Sequence, residues 1–188
     1  MSDRYDIYMA GVGGQGIGFL AQALAFAADR AGIAIRGCDT HGLAQRGGVV
    51  SSHLRLGARP GSPLVAVRSA DLVIALERHE ALRAARDYLK PGGTLLWYDV
   101  SWQPLAVRLG KADSVSREEI EEECRLTLSI SVRVFAEALP DPRMQNAAVI
   151  AELARLGLPP GIRIDDYRSA FRDLLDGSVL ERNLAVLG

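Results

Sequence analysis

Two short stretches concentrate the residue types that could bind an anion. The first, Gly11-Val12-Gly13-Gly14-Gln15-Gly16-Ile17-Gly18, follows an apolar run from Tyr5 to Ala10 and opens into an alanine-rich helical pattern. Strand, tight glycine turn and helix start together make an anion site. Without Cβ atoms the backbone can approach a ligand, and the unpaired first-turn N–H groups and the helix dipole favour negative charge. Gly13, Gly14, Gln15 and Gly16 are therefore candidate binding residues. A glycine turn also serves plain close packing of a helix on a strand, and the motif alone leaves both readings open. The second stretch, Thr40-His41-Gly42-Leu43-Ala44-Gln45-Arg46-Gly47-Gly48, places ligand-type side chains among glycines. The fixed guanidinium fork of Arg46 suits a phosphate, a carboxylate or an acidic group of a partner, so His41, Gln45, Arg46, Gly47 and Gly48 join the candidates. His41 reads equally as a loop histidine bonded to backbone.

Other chemistries find less support. None of His41, His53 and His79 stands near two further ligand-type residues, so a metal site would have to be assembled from distant parts. Cys38 and Cys124 are the only cysteines and form no CxxC pair, so the chain alone offers neither a zinc nor an iron–sulfur ligand set. Cys124 reads as a buried small apolar residue in a helix; Cys38, ending a strand beside the polar loop, is a candidate reactive thiol. Ser51 and Ser52 lack a Gly-x-Ser-x-Gly elbow, and the glycine turn lacks the Lys-Ser or Lys-Thr ending of a P-loop. Gly11, Gly13 and Gly16 fit GxGxxG in letter, and Asp39 stands after the second strand, where a dinucleotide fold keeps its ribose-binding acid. Thr-His-Gly follows Asp39 in place of a helix, which counts against an ordinary NAD site. Asp141, Arg143, Gln145 and Asn146 gather at a helix start, and Asn183 recurs late. Capping accounts for Asp141. Asn146 inside a helix points to contact with another chain or a loop, against a solvent-facing role.

The elements that must position these residues alternate. After the glycine turn, Ile17 to Ala31 predicts a helix stopped by Gly32, and Ile33 to Gly37 a second strand joined to the first by a right-handed parallel crossover. Val49 to Leu56 predicts a half-exposed strand, and Gly57 to Pro63 a turn-rich break. Ala70 to Glu77 is a continuous apolar strand of the parallel, doubly covered kind ending in an acid. His79, at the start of a solvated helix, opens a segment reaching Leu89; Pro91-Gly92-Gly93 stops it, and Thr94 to Asp99 is another strand. Ser116 to Glu119 resembles a capping box opening a helix through Cys124, followed by a short strand at Leu126 to Ile130. Helices are expected at Ser131 to Leu139, at Arg143 to Leu156 and, last, from Asp165 with Tyr167, Phe171, Leu174 and Leu175 on one face. The fold class is α/β, a Rossmann-like mostly parallel sheet flanked by helices, in one domain spanning 1–188 with a helical C-terminal part.

At 188 residues and 48% hydrophobic, the chain can bury one substantial core. A net charge of -1 with no basic cluster argues against nucleic acid as a partner. No apolar run approaches the length of a membrane span and the first residues are polar, which fits a cytoplasmic protein with no membrane partner.

On the residues above, the chain resembles the gamma-type subunits of the 2-oxoacid:ferredoxin oxidoreductases. The marks are Gly11 to Gly16, the Arg46-Gly47-Gly48 turn, Ser52-His53-Leu54-Arg55, and the late Asn146 and Asn183-Leu184. Thr40-His41-Gly42 with Ala44 to Gly48 is most similar to the small subunits of the indolepyruvate branch; Ser62-Pro63-Leu64 meets the pattern only loosely. The resemblance implies a small subunit inactive by itself and without bound cofactors of its own. Thiamine diphosphate, magnesium and [4Fe-4S] clusters would lie in a large partner subunit. The assembled enzyme would take a 2-oxoacid and coenzyme A and pass electrons to ferredoxin. Arg55, Asn146 and Asn183 become interface candidates, Gly13 to Gly16 with Arg46 would meet coenzyme A or a partner loop, and His41 and Gln45 could face substrate. An exposed docking face would let the isolated chain pair with a second copy. Two rivals are a free-standing NAD(P)- or nucleotide-binding protein and a purely structural subunit with an empty glycine turn.

Overall fold

The computed structural model describes residues 4–41, 48–57, 61–102, 107, 113–135, 139 and 141–188. A six-stranded sheet runs β2-β3-β1-β4-β5-β6 across the molecule. The apolar run at the start forms β1 (Tyr5–Val12), and the alanine-rich pattern forms α1 (Ile17–Arg30). β2 (Ile35–His41) runs in the direction of β1 but is not its neighbour, as a simple crossover would have made it. β3 (Val49–Leu56) lies between them, antiparallel to both. That insertion also corrects the half-exposed reading of β3: an inner strand is covered on both sides, and Ser52 to Leu56 are all buried.

β4 (Ala70–Ala75) pairs with β1, and β5 (Leu89–Tyr98) with β4, both parallel. Between them α2 (Arg78–Asp87) starts at Glu77, whose carboxylate accepts from the Glu80 N–H as an N-cap. Pro91-Gly92-Gly93 does not end an element but lies inside β5, beside a register shift against β4 between Ala70 and Leu72. Gly93 fits because a Cβ there would come within 2.8 Å of Leu89 Cδ1 and 3.0 Å of Lys90 O.

The capping box at Ser116 and Glu119 opens α3 (Arg117–Leu126), with Ser116 N–H on Glu119 Oε2 at 2.8 Å and Glu119 N–H on Ser116 Oγ at 3.2 Å. The strand expected at Leu126 to Ile130 begins only where it was to end. β6 (Ile130–Val134), parallel to β5, takes the first part of the expected Ser131 to Leu139 helix, because Ile130, Val132 and Val134 are β-branched at period two. A 3-10 turn (Pro142–Met144) leads into α4 (Gln145–Leu156), then α5 (Ile164–Leu174). α5 is not last. α6 (Gly177–Leu187) follows, its start hidden by a glycine in the first helical position.

Alternate strand residues feed two cores. Ile7, Met9, Leu72, Ile74 and Leu96 meet Leu20 and Leu24 of α1, Val149 and Ile150 of α4, and Tyr167 and Phe171 of α5. Tyr8, Ala10, Val73, Ala75, Leu95 and Trp97 meet Leu82 of α2 and Ile120 and Cys124 of α3. The strands' carboxyl ends therefore emerge between two helical layers, the usual place for ligands in an open α/β sheet.

Candidate functional site

The glycine turn is held from three directions. Gln15 is almost fully buried and turns its side chain inward: Oε1 accepts from Val12 N–H at 2.8 Å and Nε2 donates to Leu76 O at 2.6 Å. Gly13 N–H donates to Gly48 O at 2.9 Å, so the two polar stretches, far apart in sequence, meet in space. Gln15 N–H donates to Val12 O at 3.0 Å. The N–H groups of Gly13 and Gln15 are thus taken up within the chain, which narrows the anion-facing backbone to the rest of the turn and the first turn of α1. Gly16 caps that helix in a left-handed conformation, φ 80°, without a side-chain cap.

The start of α4 supplies the third hold. Gln145 Nε2 donates to Gln15 O at 2.8 Å, and Asn146 Nδ2 to Gln15 O at 3.2 Å and Gly16 O at 3.1 Å. A Cβ on Gly16 would come within 2.6 Å of Asn146 Nδ2, so the turn admits this clamp only as glycine. Asn146 Oδ1 is buried with no hydrogen-bond partner among the described residues, an acceptor left open at the clamp. The turn, the clamp and α6 enclose a cleft of about 340 Å³. Phe19, Met144, Leu175 and Val179 give it apolar wall, Asn146 and Asn183 amides, and Arg143 and Arg182 positive charge. Arg143 pairs with Asp141 at 2.7 Å and holds that carboxyl down to about 2 by its guanidinium and N–H bonds. Asn183 Nδ2 bonds Val179 O at 2.8 Å within α6.

Along the same sheet edge stand buried acids. Burial pushes the Glu77 carboxyl up, opposed by bonds from Glu80 N–H and His79. His79 is less solvated than expected: Nδ1 lies 3.3 Å from Glu77 Oε2, and Nε2 accepts from Val115 N–H at 3.3 Å. The latter contact makes Nδ1 the protonated nitrogen. Asp99, just past β5, meets Arg78 at 2.7 Å, Arg117 at 2.7 Å and Arg133 at 3.3 Å.

Of the expected residues, the structure gathers Gly13, Gly14, Gln15, Gly16, Gly48, Asn146 and Asn183 around or beside one cleft. His41 ends β2; Gln45, Arg46 and Gly47 lie outside the described residues. Arg55 is inside the molecule, paired to Asp6 at 3.0 Å. Cys124 is buried, with its thiol pushed up to about 11 by burial, and Cys38 lies within β2, short of its end. The Asn146 contact is with a loop of its own chain. Trp102, Arg182 and the three arginines on Asp99 escaped the sequence reading; only Asp99, a charged residue closing an apolar strand, carries a local signal.

A family profile described as pyruvate ferredoxin/flavodoxin oxidoreductase matches residues 6–188. The chain is 32% identical over 189 residues to the indolepyruvate oxidoreductase subunit IorB of Archaeoglobus fulgidus, covering 98% of this chain and 92% of that one. Its fold is similar to that of the pyruvate oxidoreductase subunit PORC of Thermotoga maritima, with a TM-score of 0.65 at 17% identity over 99% of this chain and 94% of that one. It is also similar to part of the 2-oxoglutarate:ferredoxin oxidoreductase of Magnetococcus marinus, a structure with 2-oxoglutarate, coenzyme A and succinyl-CoA bound. There the TM-score is 0.68 at 19% identity, over 100% of this chain and 30% of that one.

Proposed function

Because this chain belongs to the pyruvate ferredoxin/flavodoxin oxidoreductase family, we propose that it is the small subunit of a cytoplasmic, coenzyme A-dependent 2-oxoacid:ferredoxin oxidoreductase acting on indolepyruvate or a related arylpyruvate. The observation that carries this reading is the cleft at the glycine turn, where backbone, two asparagine amides, an apolar wall and two arginines, one of them paired with Asp141, converge. Such a lining suits coenzyme A, which joins a phosphate-rich nucleotide to a slender amide-bearing arm. The open Asn146 Oδ1 is an acceptor for a ligand or partner N–H.

The chain's own residues do not fit the redox groups of such an enzyme. It has two cysteines, and among the described residues no group of three or more His, Cys, Asp or Glu could hold a metal ion. In this reading thiamine diphosphate, magnesium and the iron–sulfur clusters belong to a large partner subunit. This chain binds and orients. The glycine turn and the α1 dipole meet coenzyme A phosphate, and the clamp from α4 keeps the turn in shape. The complex as a whole would convert a 2-oxoacid and coenzyme A into acyl-CoA and carbon dioxide, with two electrons passing to ferredoxin.

Copurification from the native cell, followed by a coenzyme A-dependent indolepyruvate oxidation assay with a viologen acceptor, tests the proposal. A large iron–sulfur partner with that activity is expected; a chain recovered alone with bound dinucleotide overturns it. Geometry already weakens the dinucleotide rival. Asp39 lies on β2, with β3 between it and β1, so it is about two strand spacings, roughly 9–10 Å, from the strand that carries the glycines. Within the favoured reading, Arg46→Ala should raise the Michaelis constant for coenzyme A about tenfold or more, as loss of a charge-assisted contact would, with assembly intact.

A further inference from the structure

An indole and three guanidinium groups share the sheet edge with the glycine turn, and the function proposed above leaves them without a role. Trp102 follows β5 closely, on a segment held by the start of α2: Arg78 N–H donates to Val100 O at 3.0 Å and Arg78 Nε meets Asp99 Oδ1 at 2.7 Å. A Cβ on Gly14 would lie 3.9 Å from Trp102 Cζ3, so the ring borders the bare backbone of the turn. Trp102 is 46% exposed, whereas the other tryptophan, Trp97, is sealed in the core. An open indole presents a flat apolar face on which a second ring can stack.

Charge points the same way. The carboxylate of Asp99 is fully buried and faces three guanidinium groups, and Arg117 and Arg133 remain 41% exposed. At Asp99 one acid faces three bases, and with Glu118 and Glu119 following Arg117 in the first turn of α3 the positive charge is local to the Arg117 and Arg133 guanidinium groups. An open aromatic face beside surplus guanidinium charge matches a purine base carrying phosphates, because bases stack on indoles and phosphates take guanidinium forks.

We propose that Trp102 stacks on the adenine of the coenzyme A that the glycine turn helps to bind, while Arg117 and Arg133 supply positive potential to its phosphorylated ribose end. The inference rests on the coenzyme A reading above. Arg78 acts as a positioning residue, holding the segment that presents the ring. Because stacking occurs far from the reacting thiol, it binds ground and transition states alike.

The test is calorimetric titration of the assembled complex, carrying either the natural chain or Trp102→Ala, with coenzyme A and with pantetheine, which has the arm but no adenine. The natural complex binds both. Trp102→Ala weakens coenzyme A roughly 5- to 150-fold, the range of one base–aromatic stack, and leaves pantetheine unchanged. Trp102→Phe recovers most of the affinity. Equal weakening of both ligands, or of neither, overturns the inference while the coenzyme A reading stands. Loss of assembly in Trp102→Ala makes the indole a partner contact, which also overturns it. A natural complex that binds no coenzyme A overturns the function proposed above, and this inference with it.

Discussion

Asp6 sits near the amino end of β1 and Asp99 just past the carboxyl end of β5, and each is a buried carboxylate held by arginine. Around Asp6 the guanidinium of Arg55 is 10% exposed and its donors are turned inward. Nε meets Asp6 Oδ1 at 3.0 Å, and Nη1 donates to Ser62 O at 2.7 Å and Leu64 O at 3.2 Å. Asp6 N–H in turn donates to Asp71 Oδ2 at 2.7 Å, and Arg4 approaches from the rim at 3.1 Å. That end ties the loop at 61–65 to the sheet. Around Asp99, three arginines from α2, α3 and β6 share one acid and keep charge toward solvent. The same pairing chemistry closes the amino end of the sheet and leaves guanidinium groups partly open to solvent at the carboxyl end.

The largest effect should come from Arg55→Ala. Removing the buried partner leaves the Asp6 carboxylate only the rim-exposed Arg4 and strands two carbonyls, so urea unfolding should show a loss of about 3 kcal/mol. A loss below about 1 kcal/mol would place Asp6 among solvent-screened pairs and erase the contrast. Next comes Gly16→Ala, which adds left-handed strain at φ 80° and drives a Cβ to 2.6 Å from Asn146 Nδ2. We expect about 2–4 kcal/mol of destabilisation from strain plus the broken clamp. Gly18→Ala, where an added Cβ meets nothing within 4 Å, should be neutral or stabilising by up to about 1 kcal/mol. Equal results at the two glycines would mean that the clamp is not formed.

Glu77 gives a smaller, pH-dependent effect. Burial raises its carboxyl, so as pH rises the unfolded chain releases the proton first and the folded chain binds more protons than the unfolded one. Stability therefore falls as pH rises from the ordinary glutamate range toward the raised folded value. Thermal melts of Glu77→Gln, which keeps an acceptor for Glu80 N–H, should gain on the natural chain between pH 4 and pH 7; a gap that shrinks over that interval would refute the assignment. Arg133→Ala should do least, under about 1 kcal/mol, since its side chain is 41% exposed and Asp99 retains Arg78 and Arg117. A cost like that of Arg55→Ala would make both ends of the sheet equally closed.

The sequence shows β1, the glycine turn and α1 clearly, because an apolar run, consecutive glycines and alanine-rich helix each act within a few residues. Lateral order is set by pairing partners, on which local pattern is silent, so β3 between β1 and β2 was not legible. Nor was its burial: His53 and Arg55 are polar residues satisfied by groups from elsewhere, as when Val65 N–H donates to His53 Nδ1 at 3.1 Å, and Ser52 is buried with its hydroxyl unpartnered among the described residues. In the candidate site, glycines and asparagines were legible by type. The Asp99 arginines were not, since they converge from α2, α3 and β6, and Gln15, expected to offer its backbone N–H, gives it to Val12 O and turns its side chain into the fold.

That inward Gln15 has a dynamic consequence. Its amide bridges Val12 N–H and Leu76 O, at the ends of two adjacent core strands, as a further rung of the β-ladder would. The glycine turn cannot swing out as an independent loop without breaking two buried hydrogen bonds anchored in the sheet. Its opening rate is tied to fraying of β1 from β4, and amide exchange at Val12 should follow that slow motion in place of fast loop fluctuation. A ligand arriving there meets a surface whose shape was decided during folding, so little ordering entropy remains to be lost on binding.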